Sequence, residues 1–282
     1  MARARLAPWI RPTIVGALLV SVTLAAAFAA APVAPAKTAP VIRPAAKGWK
    51  ASGADVQKVL DSTAAQLWPY FPGRQLKPIL VEARGGPIVL YDRGPAGEYR
   101  VRLNTGETYW AQYAFQFAHE FCHILCNYDQ DPRRNKWFEE SICELASLFV
   151  LRRLSHAWKK NPPYPHWRSF APAFDKYARN RMNQGTLPAD RSLAQWYREH
   201  VQTLEKKSTQ RALNQVVAVA LLPMFEKDPH HWEAVTWLNT ARLDRSHDFT
   251  DYLQAWAKHC PPKHRPFVRA VARRFELNLP DP

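Results

Sequence analysis

The stretch from Phe117 to Ser147 constrains this chain more than any other. It holds His119-Glu120-Phe121-Cys122-His123 and then Trp137-Phe138-Glu139-Glu140-Ser141-Ile142-Cys143-Glu144. Two histidines four residues apart on a helix lie one above the other on one face. Both imidazoles can therefore reach a single ion, with the intervening glutamate beside it. A catalytic zinc takes three protein groups and leaves its fourth position for water, so the pattern asks for one more ligand from elsewhere.

The flanking residues put this motif on a helix. Asn104 or Thr105 can cap it, and Glu107 would favour the positive end of its dipole. Trp110, Ala114, Phe117, Phe121 and Leu125 recur with helical period and form a core stripe, whereas Gln112, Gln116, His119, His123 and Cys126 form a different face. The histidines are thus off the apolar stripe. Asn127 to Lys136 is polar, contains Pro132 and cannot continue the helix. A second helix is predicted from about Trp137 to His156, with Glu140, Cys143, Glu144 and Ser147 on one face. So short a connection makes the helices antiparallel neighbours and folds Glu140 back to the level of the histidines.

Before this pair, a helix is predicted from Ser52 to Trp68, with Ser52 or Asp55 as cap, ended by Pro69 and Pro72. Extended pieces follow at Ile79 to Glu82, Pro87 to Tyr91 and Tyr99 to Leu103, separated by Gly- and Pro-containing turns. They predict a small sheet that is at least partly antiparallel, with an edge to which an extended peptide could pair. After Pro162-Pro163-Tyr164-Pro165 the pattern is helical over 170–182, 192–206, 210–225, 231–238, 249–258 and 266–275, with Trp196, Trp232, Trp237 and Trp256 as core residues. The expected fold class is α+β, mostly helical.

Each acid in the motif has a chemical use. Two neutral imidazoles and one carboxylate leave zinc a net positive charge, which brings the pKa of its water toward about 7. Glu120 is the candidate general base, accepting the proton of the attacking water and passing it to the leaving amine. Glu144 is a candidate for the carboxylate that fixes the tautomer of a ligand histidine. A donor for the developing oxyanion is also needed, and Tyr177, Tyr197, His230, His231 and Tyr252 are available for it.

The two motifs together resemble those of the gluzincin peptidases, the thermolysin-like and aminopeptidase-like branch of the zincins. The second gluzincin motif is an aromatic or apolar pair, then Asn-Glu, a small residue, and an acid four positions on. Trp137-Phe138-Glu139-Glu140-Ser141 with Glu144 looks like it, with Glu139 where the family has asparagine. The resemblance covers about thirty residues. It implies His119, His123 and Glu140 as ligands of one catalytic Zn2+, Glu120 as base and Glu144 behind a ligand. It also implies a zincin-like fold, with the small sheet preceding the active-site helix and a helical C-terminal half. A rival metal site would use His119 and His123 with the thiolates of Cys126 and Cys143, closing the shell and stranding Glu120 and Glu140.

Arg3, Arg5 and Arg11 precede an apolar run from Ile14 to Ala31 and Ala-Pro repeats, the order of a secretory signal. Residues 1–36 are therefore expected to be a signal peptide or an uncleaved membrane anchor, 37–47 an Ala/Pro-rich linker and 48–282 one metallohydrolase domain. The location expected is periplasmic, cell-envelope or secreted. The four cysteines permit two disulfides there. The formal charge is +15, and the N-terminal arginines account for only three of those charges. The basic stretches read as solvated helix faces first and as a surface for an anionic membrane or cell wall second, and no nucleic-acid-binding module is present. The function expected is an exported zinc peptidase acting on a peptide or protein substrate. The alternative is a catalytically inactive zincin-like envelope protein that binds a partner or an anionic surface.

Overall fold

Short β-branched runs form the sheet. In this computed structural model, which describes residues 39–130 and 132–280, the strands are β1 (Ile42–Pro44), β2 (Ile79–Glu82), β3 (Ile88–Val89) and β4 (Tyr99–Arg102). They lie in the order β1-β2-β4-β3. β1 with β2 and β2 with β4 are parallel, and only β3 with β4 is antiparallel, Val89 opposite Val101. Ile79, Val81 and Val101 are buried on one face, as the period of two requires. Gly86 is needed before β3 because a Cβ there would collide with the Arg102 backbone.

One strand departs from the sequence reading. Ile42–Pro44 pairs with Ile79–Val81, so the folded part begins inside the range read as linker. Three residues carry no detectable period, and their partner is far along the chain. Pro44 is tolerated because β1 is an edge strand. The signal or anchor expected over residues 1–36 lies outside the described residues, and among those described no helix is long and apolar enough to cross a membrane.

Helices carry the rest: α1 (Gly53–Ala64), α2 (Trp110–Leu125), α3 (Lys136–Lys160), α4 (Ala171–Gln184), α5 (Leu193–Lys206), α6 (Arg211–Lys227), α7 (Trp232–Val235), α8 (Phe249–His259) and α9 (Arg265–Arg274). The α+β, mostly helical reading therefore holds. The stripe of α2, from Trp110 to Leu125, is buried as predicted. Its start is later than expected. Asn104 does not cap; its N–H and C=O are held by the Gln116 side chain at 2.8 and 3.0 Å. Glu107 has a positive φ of 53°, outside the helix, and its N–H donates to the Trp49 carbonyl.

α3 is buried nearly all round, from Trp137 to Trp158, and is the central helix of the domain. The side chains joining it to α2 give the pairing direction. His123 meets Glu139, His119 meets Glu144, and the Ser147 hydroxyl donates to the Phe115 carbonyl at 2.8 Å. Residue number falls on one helix as it rises on the other, so the pair is antiparallel. The connecting loop is pinned from the C-terminal half. The Asn135 amide donates to the carbonyls of His247 at 3.1 Å and Asp248 at 2.9 Å, Arg134 donates to the same His247 carbonyl, and Arg133 meets Asn239. Capping boxes at Ser192/Gln195 and Asp248/Asp251 start α5 and α8.

Candidate metal centre and active site

The antiparallel helix pair brings His119, His123 and Glu140 together. One ligand atom from each lies within 4.8 Å of the others, a spacing a single ion can occupy. His119 Nε2 is 3.3 Å from Glu140 Oε2, and His123 Nε2 is 3.8 Å from Glu140 Oε1. The other nitrogen of each ring has its own carboxylate. His123 Nδ1 is 2.7 Å from Glu139 Oε1, and His119 Nδ1 is 3.7 Å from Glu144 Oε2. Arg181, on α4, anchors Glu144 at 2.9 Å.

The acid cluster needs positive charge. Burial opposes protonation of His123, yet Glu140, Cys126 and Glu139 together hold its pKa well above the ordinary value. His119 is likewise raised, burial being outweighed by Glu140 and Glu120. Burial works against ionisation of Glu140 too, but the two imidazoles bring its pKa down to about 2. These donors suit a divalent ion: Glu139 holds His123 Nδ1 at 2.7 Å, both Nε2 atoms face Glu140, and a cation there would supply the positive charge that protons otherwise bring. The arrangement could hold zinc, with room for a fourth group from the cavity side.

Glu120 is 3% exposed and lines that cavity. Burial raises its pKa, and His119, His123 and the Val89 backbone work against the rise. The edge strand β3 and the candidate base thus line the same cavity. The cavity encloses about 390 Å³ between β3, the α2/α3 pair, α4 and the start of α6.

Of the oxyanion donors considered from sequence, only Tyr177 lines this cavity. Its pKa is raised by burial, so the phenol keeps its proton. Tyr197 stacks on Trp137 in the core, the Tyr252 hydroxyl is fully buried and donates to Asn239 at 2.7 Å, and His231 stacks on Phe267. His230 meets the edge of Tyr70.

The sequence reading passed over Glu139 as a partner of His123. The available signal was its position next to Glu140 on the same helical turn, which turns a second carboxylate toward α2. Thiols lie close to the same imidazole. Cys122, Cys126 and Cys143 are free and fully buried, and ligand atoms of His123, Cys126 and Cys143 also lie within 4.8 Å of one another. His119 is not in that group. Burial pushes the Cys143 thiol up, toward the neutral form that does not bind metal, whereas on Cys126 burial is outweighed by hydrogen bonds from Cys143 and His123, which bring its pKa down. Cys260 is free as well.

Comparison with protein-family models, with curated proteins and with solved structures gives no match to this chain.

Proposed function

We propose that this chain is a zinc-dependent hydrolase, most simply a peptidase, whose ion is held by His119, His123 and Glu140. The observation that carries this reading is the opposed orientation of each imidazole: Nε2 toward Glu140, Nδ1 toward Glu144 or Glu139. Satisfied core histidines have no need of three surrounding carboxylates, whereas ligand histidines are oriented in this way by acids behind them. Bound there, zinc supplies a Lewis acid for a substrate carbonyl and lowers the pKa of a water toward about 7.

The protein's own groups then have distinct tasks. Glu120 takes the proton of the attacking water and delivers it to the leaving amine, a role suited to a carboxyl whose pKa is raised by burial. Tyr177, protonated in the cavity wall, donates to the oxygen on which charge develops. β3, an edge strand that lines the cavity through Ile88 and Val89, can align an extended peptide by backbone pairing. Glu139 and Glu144 hold the imidazoles, and Arg181 holds Glu144.

The test is hydrolysis of a mixed peptide library by the purified protein and by Glu120→Gln, with zinc assayed in both. We expect equal zinc in the two and turnover only in the first. Equal turnover would remove Glu120 as the base. Zinc without turnover in either would favour a binding protein on the same scaffold.

A further inference from the structure

Four carboxylates and three cations face one another across the cavity: Glu120, Glu139, Glu140 and Glu144 against Lys136, Arg181 and Arg211. Each carboxylate has a partner already described, and Arg181 is committed to Glu144. Lys136 and Arg211 are different. Among the described residues neither has a carboxylate within ion-pair distance. Lys136 Nζ donates to the Asp129 carbonyl at 2.6 Å and to the Tyr91 hydroxyl at 3.3 Å, both uncharged groups. Arg211 is exposed at the first turn of α6, and the hydroxyls of Ser208 and Thr209 line the cavity beside it without a hydrogen-bond partner among the described residues.

Lone cations on an open surface are unremarkable, but in a concave wall of low dielectric their field is focused on whatever enters. A divalent ion in the centre would reverse the excess charge of the wall from negative to positive. A guanidinium fork matches a carboxylate in geometry, and a lysine adds a point charge beside it. We propose that the cavity selects peptides carrying a carboxylate near the bond to be cleaved, bound by Arg211 with the Ser208 and Thr209 hydroxyls and assisted by Lys136. The carboxylate can belong to an acidic side chain or to the peptide C-terminus. This specificity rests on the peptidase reading above.

The test uses three fluorescent peptides of one sequence: an internal glutamate with an amidated end, glutamine in its place with an amidated end, and glutamine with a free C-terminal carboxylate. Binding is read by anisotropy with zinc-loaded Glu120→Gln, and cleavage with the wild-type protein. At least one carboxylate peptide should bind about tenfold or more tightly than the neutral one, as a charge-assisted contact implies, and whichever does identifies the source. Arg211→Gln with Lys136→Met should abolish the preference. Arg168→Gln, an exposed cation outside the cavity wall, should keep it. Circular dichroism verifies that each variant is folded. Equal binding of all three peptides, or a preference that survives in the double variant, overturns the proposal. A binding preference without cleavage by the wild type would instead sink the peptidase reading and overturn the selection of a bond to be cleaved, leaving only a carboxylate-binding cavity. Cleavage indifferent to charge would overturn this proposal and leave the peptidase reading standing.

Discussion

His123 Nδ1 lies 2.7 Å from Glu139 Oε1, although the two residues come from different helices. The contact orients the ring and ties α2 to α3 at the centre. Removing the carboxylate in Glu139→Ala should weaken zinc binding roughly 10- to 100-fold, the usual effect of losing the group behind a ligand histidine. Competition with a chelator of known affinity measures this. Unchanged affinity would separate Glu139 from the metal site.

Two donor sets share the His123 imidazole, one with Glu140 and one with the thiols. If the carboxylate set holds the ion, Glu140→Gln should lose zinc on dialysis while Cys143→Ser retains it. Metal analysis of the two dialysed proteins decides the matter, and retention only in the glutamate variant would transfer the ion to the thiols.

Tyr177 lines the cavity, and in the proposed mechanism its hydroxyl donates to the developing oxyanion. Tyr177→Phe should reduce kcat by about 10²- to 10³-fold, the typical loss for one such donor, with KM little changed. A rise in KM at constant kcat would make Tyr177 a binding residue instead.

His231 stacks on Phe267 with ring centroids 4.0 Å apart. Burial is the largest cause of its lowered pKa; His264 and His230 add to it and Asp228 opposes it. In the unfolded chain the ring titrates near its ordinary value, about 6.5. As pH falls below that value the unfolded state takes up a proton that the native state refuses. Stability is therefore full above the window and lost as pH drops through it toward the folded pKa. His119 and His123, with raised pKa values, act in the opposite sense, so the His231 share is read by difference: between about pH 7.5 and about pH 5.5 the urea midpoint of the wild type should decline relative to that of His231→Phe. An unchanged pH slope in the variant would place the titration elsewhere.

The helical motif was legible because its determinants are local. His119 and His123 share a face by helical period, and a polar loop with Pro132 implies the turn that returns Glu140 to them. The strand Ile42–Pro44 was not legible, because its only reason to be extended is a parallel partner at Ile79–Val81. The late start of α2 came from similar distant ties: Glu107 to Trp49 and Asn104 to the helix itself through Gln116. Arg211 read as one basic residue among many. Its place in the cavity depends on how α6 packs, where the Asn214 amide donates to the Trp137 carbonyl at 2.9 Å and to the Ser141 hydroxyl at 3.3 Å. No period in the chain announces that contact.

The Asn135 amide grips two carbonyls, of His247 and Asp248, more than a hundred residues away. A proteolytic nick just ahead of α8 would spare every proposed ligand, base and wall cation. It would nonetheless free the hinge between the two helices that carry the histidines and Glu140. The chain from α7 onward is in that sense a clamp, and its integrity governs the alignment of a cavity it does not line.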